Sequence, residues 1–180
     1  MLKRPVFRVA IAAFLFGVTE VVLASSASTY FPVSVSVSRS CSISTVSALA
    51  FVAYDPIGAN ATAASNATGQ ISVACSKSAT GMTIGMDSGT HLHGTERHMM
   101  GSTAVSTLQY NIFQPPNNSP GTACTFPGTI AWTATGAGLF SITSAASNAA
   151  RVYNVCGSIP GGQNVTADTY TDTVGATINF

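Results

Sequence analysis

The segment Phe31-Pro-Val33-Ser-Val35-Ser-Val37-Ser places an apolar residue at every second position, with proline and serines between them. An extended strand points successive side chains to opposite faces, so Phe31, Val33, Val35 and Val37 form one apolar stripe. A one-residue slip in pairing would turn serines to the buried face. Pro32 suits an edge or a strand start, where its missing N–H costs nothing. The stripe lies ahead of the first cysteine, where a domain ordinarily has only a frayed tail. It reads in two ways: as the first strand of a complete sandwich, or as a strand given to a neighbouring molecule, which would make the chain a polymer subunit. Every sandwich strand alternates, so the pattern alone serves both readings.

What precedes the stripe reads as a secretory signal peptide over residues 1–24. Lys3, Arg4 and Arg8 supply a basic n-region, Val9 to Val18 a short apolar run, and Val22-Leu23-Ala24 small residues for cleavage, with Ser25-Ser26-Ala27 as a second candidate site. The run is shorter than the roughly 20 apolar residues that span a bilayer. The remainder is long enough for one domain with its own core, and no linker or repeat divides it. It carries Arg39, Lys77, Arg97 and Arg151 against Asp55, Asp87, Glu96, Asp168 and Asp172. So few charges, with no basic patch, make nucleic acid and anionic membranes poor partners. Ser, Thr, Asn and Gly must supply the polar surface.

All four cysteines, Cys41, Cys75, Cys124 and Cys156, follow the signal. An even count in an exported chain reads as two disulfides, for which three pairings are open. Cys41–Cys75 and Cys124–Cys156 are favoured because each joins neighbouring strand segments. No spacing suggests a zinc site, and no cofactor is expected.

No apolar repeat at helical spacing follows the signal, while short Val-, Thr-, Tyr- and Phe-rich runs alternate between turn clusters. Strands are expected at Ser47–Tyr54, Gln70–Cys75, Gly81–Met86, Thr107–Phe113, Gly128–Thr133 around Trp132, Gly138–Thr143, Arg151–Cys156 and Tyr170–Phe180, with a loop over Ala59–Thr68. In the last strand Tyr170, Asp172, Val174, Ala176, Ile178 and Phe180 share a face that is apolar apart from Asp172. The sum is an all-β antiparallel sandwich. A final apolar strand beside an absent partner leaves an open edge and exposed core, a hazard that a strand from another chain can cover.

Other constellations read as ordinary structure. His91, His93 and His98 fall in a Gly/Thr-rich stretch without a matching carboxylate or cysteine and read as solvated loop histidines. Asp87, Ser88 and His91 have the residue types of a hydrolase triad, but no Gly-x-Ser-x-Gly elbow occurs. No enzymatic activity is expected. Met82, Met86, Met99, Met100, Tyr110 and Trp132 read as core.

Taken in order and spacing, several pieces resemble the spore coat protein U domain family, which includes subunits of archaic (Csu-type) chaperone–usher pili. They are the Phe31–Val37 stripe followed by Cys41-Ser-Ile; Gly69-Gln-Ile-Ser-Val-Ala-Cys75; Arg97-His-Met99; Leu108-Gln-Tyr110-Asn-Ile-Phe113; Val152-Tyr-Asn-Val-Cys-Gly-Ser-Ile-Pro160 with Gln163; and Tyr170-Thr-Asp-Thr-Val174. Phe51-Val52-Ala53-Tyr54 departs from the usual Phe-Gly before the tyrosine, and the Cys124/Cys156 pair is absent from many members. The resemblance implies an incomplete immunoglobulin-like sandwich completed by donor-strand exchange, with residues 25–40 as the donor segment and 41–180 as the domain. Phe31, Val33, Val35 and Val37 would be the donor side chains. Tyr170, Val174, Ala176, Ile178 and Phe180 would form one rim of the acceptor cleft, which a chaperone also binds. Implied partners are identical or homologous subunits, a periplasmic chaperone and an outer-membrane usher. The implied destination is a surface fibre that serves adhesion or biofilm; a spore or cell coat and a ligand-binding tip adhesin are the alternatives.

Overall fold

The computed structural model describes residues 23–180; residues 1–22, with nearly all of the signal-peptide reading, lie outside the described residues. Of the described residues, 23–36 fall in one unit and Val37–Phe180 in a second. Residues 23–36 carry no regular element, and Phe31, Val33 and Val35 are exposed. Val37, at the start of the second unit, is exposed as well.

The second unit is nearly all β. In chain order its strands are β1 (Cys41–Ser47), β2 (Ser65–Cys75), β3 (Thr83–Met86), β4 (Leu92–His93), β5 (Glu96–Gly101), β6 (Thr107–Phe113), β7 (Phe140–Ser141), β8 (Arg151–Ile159), β9 (Tyr170–Thr171) and β10 (Ala176–Asn179). A seven-stranded sheet runs β1-β2-β8-β6-β5-β4, with β9 also on β5, and a three-stranded sheet runs β10-β3-β7. Every pairing is antiparallel.

Strict alternation builds the core between the sheets. Ile71 and Val73 of β2, Leu108, Tyr110 and Ile112 of β6, and Tyr153, Val155 and Ile159 of β8 are buried beneath Met82, Ile84 and Met86 at β3. Trp132 is wholly buried, donates Nε1–H to Ile84 O at 2.8 Å, and packs on Phe140, which packs in turn on Tyr153. Each large side chain buried this way stabilises the fold by about 1.5–3 kcal/mol. The outer face of β8 is covered too. There Gly121 N–H donates to Val152 O, Asn154 Nδ2 to Thr122 O, and Cys124 is joined to Cys156. The other disulfide joins Cys41 to Cys75, cross-strand partners at the start of β1 and the end of β2. Each closes a loop of about thirty residues, a constraint of about 3–4 kcal/mol in the chain-entropy picture.

Several expected elements differ. The first strand is Cys41–Ser47, and residues 48–54 continue without strand pairing. β2 begins at Ser65, because pairing with β8 as far as Ile159 recruits residues that composition assigned to a loop. Around Trp132 there is only an isolated bridge, Phe113 to Ala131. The last strand is split: β9 belongs to the long sheet and β10 to the short one, so the chain changes sheets over 172–175. The expected loop around the histidines is the β4–β5 hairpin.

Leu49 and Phe51 of the unpaired stretch rest where β2 and β8 lack side chains. A Cβ on Gly157 would meet Leu49 Cδ2 at 2.6 Å and Phe51 Cζ at 2.8 Å, and one on Gly69 would meet Leu49 N at 3.1 Å. Gly157→Ala should therefore lower stability by about 1–3 kcal/mol through overpacking. Urea denaturation measures this, and an unchanged midpoint would show that the 48–54 stretch moves aside freely.

Candidate functional site

The apolar interior is not closed everywhere. Two hollows, of about 390 Å³ and 650 Å³, share Leu49, Phe51, Met99 and Tyr170 and so form one groove. The core residues Ile71, Met86, Tyr110, Ile112 and Val155 line the first; Leu108, Ile159 and Val165 line the second. The 45–51 stretch borders the first hollow on the β1 side, and Tyr170–Ala176 on the β9–β10 side. Backbone edges around it are unsatisfied. β1 pairs only with β2, β10 pairs only with β3, and among the described residues no hydrogen bond reaches the main chain of 48–53. Unpaired backbone beside apolar surface is what an added strand uses: ladder bonds from the main chain and pockets for alternate side chains.

A buried polar clamp fixes the border where the chain crosses between sheets. The Asp172 side chain is only 3 % exposed. Its Oδ1 accepts from Thr90 N–H at 2.9 Å and Thr90 Oγ1 at 2.7 Å, and lies 2.9 Å from His91 Nδ1. Its Oδ2 accepts from Tyr110 OH at 2.6 Å. Three residues on, Gly175 N–H donates to Asp87 Oδ1 at 2.9 Å, and Asp87 N–H to Gly175 O at 3.0 Å. Arg97 reaches inward from β5: Nη2 donates to Asp87 O at 2.6 Å and Trp132 O at 2.7 Å, and Nε to Asp87 O at 2.9 Å. Both sheets are thus tied to the crossing, and the groove border is held by the chain's own side chains.

The ionisation of the clamp follows from its surroundings. Burial would raise the Asp172 carboxyl, but bonds from Tyr110, Thr90, the Thr173 N–H and His91 outweigh it and hold the group below its ordinary value. Burial, and then the bond to Asp172, push the Tyr110 phenol far up, so it stays a donor. Burial pulls the Arg97 guanidinium down, opposed by Tyr110, Asp87 and Asp172. At the second hollow, Tyr54 OH donates to Pro160 O at 2.9 Å and accepts from Gln163 N–H at 3.0 Å. The Gln163 amide exchanges two bonds with the Gln109 main chain, at 2.8 and 3.0 Å, and so caps β6 as a neighbouring strand would.

Among the expected rim residues, Tyr170, Val174 and Ala176 line the groove, and Ile178 packs half-buried against the core. Phe180 is half exposed and does not line it. The triad reading of Asp87, Ser88 and His91 fails on geometry: His91 faces Asp172, while Asp87 is engaged with Gly89 and Gly175. Asp172, Arg97, Tyr110 and Gln163 emerge as the residues that shape the site. In the sequence Asp172 was only the polar exception on an apolar face, and that exception was the available signal. Asp172→Asn should cost about 1–3 kcal/mol at neutral pH. Because the folded carboxyl is depressed, this contribution is complete above the ordinary value of 3.8 and is lost as pH falls through the folded value. Urea melts across pH should show wild type and variant converging in acid, and a constant gap would rule out the carboxylate as its source.

The profile of the Spore Coat Protein U domain matches residues 27–177. No curated protein sequence matches the chain. Among solved structures, similarity is found to the CsuC–CsuE chaperone–tip adhesion subunit pre-assembly complex from archaic chaperone–usher Csu pili of Acinetobacter baumannii, at 20 % identity and a TM-score of 0.44. The match covers 79 % of this chain and 40 % of that one, so the chain spans less than half the length of the solved relative.

Proposed function

The chain belongs to the Spore Coat Protein U domain family, and from that membership we propose that it is a non-enzymatic structural subunit of a surface fibre of the archaic chaperone–usher type. Residues 1–24 direct export, residues 25–40 are the donor segment, and residues 41–180 are the acceptor domain. Phe31, Val33, Val35 and Val37 of one subunit enter the groove of the next, between the 48–53 stretch and the Tyr170–Ile178 border. The single observation behind this reading is the open groove, lined by core residues and bordered by unpaired backbone. The exposed stripe ahead of β1 has the apolar alternation that a strand filling it would need.

Burying four such side chains gives about 1.5–3 kcal/mol each, of order 10 kcal/mol gross per joint. Joining the arm of one copy to the groove of another is a heterologous contact that does not close, so the product is a fibre. An open groove is an aggregation hazard before assembly. A periplasmic chaperone that lends a strand to the same groove, and an outer-membrane usher that exchanges it for the next subunit's arm, answer that hazard. Adhesion or biofilm formation is the role of such a fibre. A coat built by the same exchange is the second reading, and the family's own description favours it.

Val35→Asp puts a charge into the middle of the stripe without touching the domain's core. The variant should keep its two disulfides and its far-UV circular dichroism but form no fibres by electron microscopy and no ladder of heat-sensitive oligomers on gels. Fibres as abundant as wild type would overturn strand donation.

A further inference from the structure

We infer that the outward face of the β4–β5 hairpin binds a divalent transition metal of borderline softness (Zn²⁺, Ni²⁺ or Cu²⁺) through His93, Glu96 and His98. The hairpin turns at Gly94, in the left-handed region at φ 65°, and pairs His93 with Glu96 and Leu92 with Arg97. His98 N–H donates to His91 O at 3.2 Å and carries the register on. Cross-strand partners share a face, as do residues two apart on one strand. His93, Glu96 and His98 therefore project from the side opposite Arg97, whose guanidinium reaches inward to Trp132 O. Glu96, which lies between His93 and His98 in the sequence, is the carboxylate that pairing with His93 brings onto their face.

His98 is the anchor. Its side chain is 12 % exposed, and its Nδ1 lies 3.1 Å from Thr107 Oγ1. With Nδ1–H donating to that hydroxyl, the ring is oriented and the Nε2 lone pair is free, the arrangement of a metal-ligating imidazole with an outer-shell partner. Nε2 is hidden from solvent and has no hydrogen-bond partner. A buried polar nitrogen without a partner calls for an explanation, and a bound ion is one. Around it stand Glu96 Oε2 at 3.9 Å and the His93 ring, edge-on at 5.3 Å between centroids. Among the described residues no group of three His, Cys, Asp or Glu is drawn together closely enough to hold a metal as it stands. Closing the site needs only rotation of His93 and Glu96, both exposed, onto a fixed His98. Two imidazoles and a carboxylate then leave an open position for water, a donor set that suits zinc. His91 is turned to Asp172 through Nδ1, and it is not in the ligand set.

This site lies outside the groove and does not depend on the fibre reading. The test is calorimetric titration of the purified untagged chain with ZnCl₂, together with electron paramagnetic resonance of the chain loaded with CuSO₄. One equivalent of Zn²⁺ should bind with micromolar affinity, and the Cu²⁺ spectrum should carry coupling from two imidazole nitrogens. His98→Ala and His93→Ala should each weaken binding by more than tenfold. Thr107→Val, which keeps all three ligands but frees the ring, should weaken it by about tenfold. Unchanged thermal melts of the metal-free variants separate lost ligation from lost fold. No saturable binding at millimolar ZnCl₂, or wild-type affinity in His98→Ala, would overturn the proposal.

Discussion

A sheet with one apolar face must be covered, and here the cover is too small. Seven strands present their inner face to a sheet of three. Where β3 and β7 lie over β2, β6 and β8, Trp132, Phe140 and Tyr153 fill the space and side chains are wholly buried. Beyond the free edge of β10 the cover runs out, and the same inner-face rows become the floor of a groove. The groove is therefore the arithmetic remainder of the strand count. Apolar surface left in contact with water there is a deficit that folding of this chain alone leaves open.

An unfilled apolar groove would collapse unless its border were held, and polar groups hold it. The chain leaves the long sheet at β9 and joins the short one at β10, which exposes several backbone groups to burial without a ladder. Asp87 accepts from Gly175 N–H in the crossing, Asp172 ties the crossing to Tyr110 and Thr90, and Arg97 donates to Asp87 O and Trp132 O, while Tyr54 with Gln163 holds the other hollow. Breaking one member strands its partners without water, so such networks are costly to damage and set geometry firmly. Polar residues here keep apolar surface available.

The sequence reading succeeded where alternation was clean and failed where one side chain served two masters. Thr107–Phe113 is a strand over the residues expected of it, because Leu108, Tyr110 and Ile112 alternate with polar partners and no charge interrupts. β5 went unread because its inward positions include the charged Arg97, which breaks the apolar alternation from which a strand is read. Trp132 looked like part of a strand, yet only an isolated bridge forms beside it, and it is held by its indole N–H and by main-chain bonds to Ile112 O and Arg97. The 48–54 stretch carries a strand's alternation without a strand's partner, and that mismatch, invisible without coordinates, borders the groove. The spore coat U resemblance was legible in the order and spacing of short pieces, four of which carry the clamp residues Arg97, Tyr110, Gln163 and Asp172.

The most direct test of an incomplete sandwich is amide hydrogen exchange across Ala48–Ala53. The measurement uses the chain cut back to begin at Arg39, alone and with a synthetic peptide of residues 29–38. The account predicts fast exchange over 48–53 in the chain alone, and strong protection there once the peptide is bound. Protection of the same amides without any peptide, in a soluble monomer, would contradict it.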